Sequence, residues 1–188
     1  MTVELRETNR TLLELATTDP LTGLLNRRAM EVRATEEDAR AARENMPVAV
    51  VLLDVDFFKH VNDKYGHEMG DVVLRNLGAF LREQTRVTDH AARIGGEEFL
   101  MLLSNTDAEG ALAFAEKLRA GFEAMEHRLG ETRIKATSSF GVAVAPAGLG
   151  VPVVRLQARA DKALYQAKAN GRNRVELWVP PAVGMKED

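Results

Sequence analysis

The chain has 188 residues, 45% of them apolar, which suits one domain with a substantial core. A formal net charge of -3 and the lack of cysteine exclude disulfides and thiolate metal sites, and they give no basic stripe for a nucleic-acid polymer. No apolar run approaches the roughly 18 residues of a membrane helix, and the charged start from Glu4 carries no signal-peptide core, so the expectation is a soluble cytoplasmic protein with no membrane association.

Residues 2–17 read as a helix, with Leu5, Leu12 and Leu15 at heptad-like spacing; it lies on the domain or pairs with a second copy. Asp19-Pro20 breaks it, and Arg28 to about Asn45 forms a helix covering a sheet. The apolar run after Pro47, Val48 to Val55, has the length of a central strand buried on both faces. It ends in Asp54 and Asp56, which share one side because strand side chains repeat with period two. Either aspartate alone would serve as a structural residue at a strand-to-helix turn. The helix that follows offers backbone N–H groups to an anion, so the amides near Phe57, Phe58 and Lys59 are candidates for phosphate oxygens; the alternative is that the two phenylalanines are plain core residues. Asn62 and Asp71 flank a turn containing Gly66 and Gly70, and Asp71 is equally placed to N-cap a helix from Val72 to Arg86.

Arg86-Val87-Thr88-Asp89 reads from its residues as a helix end with an i,i+3 ion pair. Gly95-Gly96 marks a tight turn at positive φ between two strands, and Glu97 and Glu98 leave it at the head of the apolar strand to Leu103. Carboxylates at two strand ends make a hard-oxygen site suited to Mg²⁺, against the alternative of a solvated hairpin tip. Thr106-Asp107-Ala108-Glu109 forms a capping box for a helix to about Leu129, stopped by Gly130. Ile134 to Ala145 alternates as a strand, Pro146 to Pro152 is a loop, and Val153 to Asn170 is a helix with Lys168 and Arg172 at its end, where the helix dipole favours cations. Val175 to Val179 is a last strand, followed by a loose tail over 180–188.

Gly95-Gly96-Glu97-Glu98-Phe99 resembles the signature of the GGDEF domains, the diguanylate cyclases. Asp19-Pro20-Leu21-Thr22-Gly23-Leu24-Leu25-Asn26-Arg27-Arg28 is similar to that family's DxLTGLxNRR motif, Arg86 to Asp89 to its RxxD site, and Asp161 to Asn173 to its DxALYxAKxxGRN element. The resemblance covers Asp19 to Val179 and makes residues 1–18 a signalling-type helix below an upstream sensory domain or partner. It implies an α/β class, an α+β sandwich with the palm-like nucleotide cyclase fold and a mixed central sheet of about five strands flanked by helices.

The activity implied is condensation of two GTP into cyclic di-GMP with release of two pyrophosphates. Asp54, the Val55 carbonyl, Glu97 and Glu98 would hold two Mg²⁺ per active site, with Mn²⁺ as the alternative ion, and Glu97 would take a base-like role. Phe57, Phe58 and Lys59, Gly95 and Gly96, and Lys168 and Arg172 would face the substrate, the last two as phosphate ligands. Asn62 and Asp71 would read guanine, because a carboxylate accepts from adjacent guanine N–H groups where adenine presents an acceptor; His67 would be a weaker contact. Arg86 and Asp89 would bind the product and restrain the enzyme. Since one site holds one GTP, a homodimer of facing protomers is expected. Arg27 and Arg28 are weaker phosphate candidates, Asp56 carries no assigned role, and the alternative activity is a catalytically silent module that binds GTP or cyclic di-GMP.

Overall fold

The computed structural model describes residues 16–180. In chain order they form β1 (Leu25–Asn26), α1 (Arg27–Glu44), β2 (Val48–Val55), α2 (Phe58–Tyr65), α3 (His67–Gln84), β3 (His90–Arg93), β4 (Glu98–Ser104), α4 (Ala108–Ala124), β5 (His127–Leu129), β6 (Thr132–Ile134), β7 (Ser138–Ala145), α5 (Val153–Ala169) and β8 (Val175–Leu177). Six strands make one mixed sheet in the order β1-β3-β4-β2-β7-β8, and β5 and β6 form a separate two-stranded ribbon. The expected α/β sandwich is present; its longer strands are edged by the short β1 and β8, each paired parallel to its neighbour. The expected N-terminal helix lies outside the described residues except for Ala16 and Thr17, which are helical, and so does the tail from residue 181.

β2 is central and antiparallel to both β4 and β7, and all eight of its residues are buried. Its even-numbered positions Val48, Val50 and Leu52 join Leu100, Leu102 and Ala143 beneath Met30 of α1 and Leu156, Ala160 and Leu164 of α5. Its odd-numbered positions Ala49, Val51, Leu53 and Val55 join Phe99, Met101 and Phe140 beneath α2, α3 and α4. Burial of each such side chain contributes roughly 1.5–3 kcal/mol, so the uninterrupted apolar run secures this strand at the centre. Gly141 on β7 lets α5 sit directly on the sheet, because a Cβ there would overlap Ala160 O and the Leu164 backbone. That close approach fixes where the C-terminal end of α5 meets the end of β2.

Two expected elements differ, the helix that became α4 and the strand after it. The helix begins from Asp107, whose carboxylate accepts the Gly110 N–H at 2.9 Å, while the Thr106 hydroxyl donates to Ser104 O. It stops at Ala124 rather than near Leu129, because the chain turns extended to bury His127 completely. The strand expected from Ile134 to Ala145 is split between β6 and β7, since each half pairs with a different partner and Thr137 O accepts the Asp56 N–H at 2.8 Å.

Candidate active site

The ends of β2 and β4 bring the acidic residues together. Asp54 and Glu98 are direct cross-strand partners, and the Val55 N–H donates to Glu97 O at 3.2 Å. Asp54 is buried, whereas Glu97 and Glu98 are partly open. Burial pushes the Asp54 carboxyl above its ordinary value; Lys168, with Nζ 3.1 Å from Oδ2, works against that rise, and the Glu98 charge adds to it. Glu97 is also raised, by burial first and then by the Asp54 charge. Three carboxylates thus share a surplus of negative charge against one lysine.

The Gly95–Gly96 turn was expected to need positive φ, but neither glycine has it. Space is the reason for Gly95: a Cβ there would overlap Glu98 Oε2 and lie 3.2 Å from Glu98 Cβ, whereas Gly96 faces open space. The turn is held from outside. Arg93 Nη2 donates to Gly96 O at 2.7 Å and its Nη1 to Asp19 Oδ1 at 3.1 Å, while Arg27 Nε donates to Ile94 O at 2.9 Å. Burial works to raise the Asp19 carboxyl, but bonds from Thr22 and the Arg93 guanidinium outweigh it and hold it below its ordinary value. Arg27 is therefore committed to the turn in this structure.

Beyond Asp56 the chain enters α2 through Phe57, which has φ 55°, is 63% exposed and provides no side-chain cap, so the first N–H groups of α2 lack one. Phe58 is the core residue of the pair, 8% exposed. α5 ends at Ala169, and Arg172 leaves the helix that carries Lys168. The chain turns through Gly171, Arg172 and Asn173 at φ 112°, 63° and 46°, placing the Arg172 guanidinium 4.6 Å from the Phe57 ring centre. A cavity of about 680 Å³ opens beside Phe57, bounded by Asp56, His60, Lys135 and Thr137 among others. Asp56, left without a role by the sequence, is buried and accepts from Thr137, Ser139 and the Asn173 backbone. Its partners lie 81 to 117 positions away, so no local signal could have named them.

Asn62 of α2 and Gly70 of α3 are in contact: a Cβ on Gly70 would overlap Asn62 Oδ1. That oxygen is buried and has no hydrogen-bond partner. Asp71 is half-exposed inside α3, which starts at His67, so it is not the N-cap of a helix from Val72; its nearest cation is Arg75 at 3.8 Å. His67 is exposed at the first position of α3.

Arg86 and Asp89 stand apart, beyond the opposite end of β3 from the glycine turn. They form no helical ion pair, since α3 ends at Gln84; instead the Asp89 N–H donates to Arg86 O at 3.1 Å. Arg86 is exposed, whereas Asp89 is buried and accepts the Ser104 N–H at 3.1 Å. Both line a cavity of about 250 Å³ with Pro47, Asn105 and Thr106.

No three acidic, histidine or cysteine side chains among the described residues gather closely enough to enclose a metal by themselves. The donor chemistry nevertheless fits Mg²⁺, which is held by one or two carboxylates together with substrate phosphates rather than by an all-protein cage. Asp54, Glu97 and Glu98 supply that set, with the surplus charge described above.

Residues 16–174 match the family described as the GGDEF domain of diguanylate cyclases. Diguanylate cyclase A of Treponema denticola is 40% identical over 174 residues, covering 90% of this chain and 46% of that protein. The response regulator PleD of Caulobacter vibrioides is 42% identical over 165 residues, covering 87% and 36%. The chain therefore spans less than half the length of these two relatives. Among solved structures, the coiled coil and GGDEF domain of DgcB from Caulobacter crescentus, in complex with c-di-GMP, superposes with a TM-score of 0.86 at 32% identity, covering 93% of this chain and 92% of that one. Carboxylates from two neighbouring strand ends, the glycine turn that leads into the second of them and these likenesses agree: the chain belongs to the GGDEF domain family.

Proposed function

We propose that the protein is a diguanylate cyclase, condensing two GTP into cyclic di-GMP. The observation that carries the reading is the meeting of Asp54, Glu97, Glu98 and Lys168 at one end of the sheet, beside the uncapped start of α2. Asp54 and Glu97, with the Val55 carbonyl and Glu98, would hold two Mg²⁺ or Mn²⁺ ions, which when bound polarise the α-phosphate and acidify the 3′-hydroxyl. The chain's own groups do the rest. Phe58 and Lys59 N–H groups, Lys168 and Arg172 face the triphosphate, and Glu97 takes the base-like role toward the 3′-hydroxyl proton. The 3′-oxygen forms a bond to the α-phosphorus of the other nucleotide as the bond to the β-phosphate breaks, and pyrophosphate leaves.

Guanine lies between α2 and α3. The unpartnered Asn62 Oδ1 accepts one of its N–H groups, and Asp71 accepts from its N1 and N2 edge, with His67 at the rim. A base lacking those donors would leave the buried oxygen unpaired, which can discriminate by factors of about 10⁴. Because each site holds one GTP, two protomers must face one another across a two-fold axis. The product, bound at Arg86 and Asp89, restrains turnover.

The test is incubation of the protein with GTP and Mg²⁺, followed by chromatography for cyclic di-GMP. Product whose rate per protomer rises with protein concentration supports the cyclase and its dimer. GTP binding with no product at any protein concentration would instead establish a silent binding module.

A further inference from the structure

We propose that Asp56 is a positioning residue that sets one phosphate-facing cation, Arg172, against the start of α2; the reading of Arg172 as a phosphate ligand rests on the function proposed above. Asp56 is 5% exposed and both of its oxygens are taken. Oδ1 accepts Ser139 Oγ at 2.6 Å, and Oδ2 accepts Thr137 Oγ1 at 2.7 Å and the Asn173 N–H at 3.0 Å. Turning this carboxylate toward an ion would strand those donors, one of them on the fully buried Ser139. Its placement points to a different task.

Asp56 stands between two segments in an unfavourable backbone conformation. The next residue, Phe57, has φ 55°, and the turn that Asp56 grips contains Arg172 at 63° and Asn173 at 46°. Side chains bearing a Cβ adopt that region only where the surroundings over-determine it. The Asn173 side chain supplies the second hold: its Oδ1 accepts from Arg119 Nη1 at 2.8 Å and its Nδ2 donates to Glu123 Oε1 at 2.8 Å. Arg119 and Glu123 are themselves paired at 2.7 Å, so the turn is clamped between α4 and the end of β2. Arg172 is then fixed from both sides, by its own N–H to Ala167 O at 2.9 Å and by Asn173, which leaves its guanidinium over the Phe57 ring. One buried carboxylate thus couples the C-terminal end of α5 to the N-terminal end of α2, the two elements that present cations and amides to the same phosphates.

Two variants test this, Asp56→Asn and the pair Thr137→Val with Ser139→Ala, the second removing both hydroxyls that orient the Asp56 carboxylate while leaving the Asn173 side-chain clamp in place. Affinities for a non-hydrolysable GTP analogue and for GMP are measured by calorimetry, and the variant structures are determined. The expected result is an analogue affinity lowered about tenfold or more, GMP binding unchanged, and Arg172 displaced from Phe57. Combination with Arg172→Ala should add little, since both changes act through one guanidinium. Equal loss for both ligands, unchanged analogue binding, or Arg172 still over Phe57 in the variant structure would overturn the proposal. Should Asp56→Asn fail to fold, the Thr137→Val/Ser139→Ala variant decides alone. If the parent binds neither nucleotide, the functional reading fails, while the position of Arg172 in the variant structures still judges the role of Asp56.

Discussion

The ammonium of Lys168 on α5 lies 3.1 Å from the carboxylate of Asp54 on β2, with the lysine side chain 34% exposed and the aspartate side chain 9% exposed. The pair is therefore open to water at one end only. Replacing the lysine leaves Asp54 buried beside Glu98 with nothing to offset its charge. Lys168→Met should lower stability at pH 7.5 by about 1–2 kcal/mol, less than a fully buried pair because the lysine end is solvated. Asp54 has a raised carboxyl, so below its ordinary value of 3.8 it is protonated in the folded and unfolded states alike, and the difference should vanish there. Urea unfolding at both pH values checks this; an equal loss at each would show that the lysine acts by packing.

Glu97→Gln should stabilise the metal-free protein at neutral pH. The Glu97 carboxyl is raised above its ordinary 4.5, so ionising it in the folded state costs free energy as pH climbs through that raised value. Below 4.5 both states carry the proton and parent and variant should be equally stable. Above it the variant gains, by less than about 1 kcal/mol because the side chain is partly open to water. The same variant should lose cyclase activity. A variant less stable than the parent at pH 7.5 without metal would contradict the electrostatic account.

The two ends of the Arg86–Asp89 pair should behave differently. Arg86 is exposed, so Arg86→Ala should shift stability by no more than about 0.5 kcal/mol while relieving inhibition by added cyclic di-GMP. Asp89 accepts the buried Ser104 N–H, and Asp89→Ala should cost about 1–3 kcal/mol before any ligand is considered. Thermal unfolding with and without product separates these effects. An Arg86 variant as strongly inhibited as the parent would remove this site from the product-binding reading.

His127 should give the fold an acid-side weakness. It is fully buried against Phe122, with Nδ1 3.1 Å from the Asn76 amide and Nε2 unpartnered, and burial lowers its proton affinity. The unfolded chain takes up a proton near pH 6.5 where the folded chain does not, so stability falls as pH drops through 6.5 toward the lower folded value. His127→Phe should flatten that slope between pH 7.5 and 5.5, as read by denaturant midpoints. A slope unchanged in the variant would assign it to other groups.

Much of this molecule was legible in residue order alone. The apolar run from Val48 to Val55, the helical faces and the glycine turn before Glu97 are short-range signals, because periodicity and backbone preference act within a few residues. The signature around Gly95 likewise placed the chain in its family. What residue order left open was settled by packing. Gly95 is required by the neighbouring Glu98 side chain and not by its own dihedral; α3 begins early enough to take in Asp71; Arg172 leaves the helix that carries Lys168. Asp56 found its partners more than eighty positions downstream, and His127 left a helix to reach Asn76. Each outcome turns on satisfying a buried polar group or avoiding an overlap between distant segments, and those demands exist only once the chain has folded.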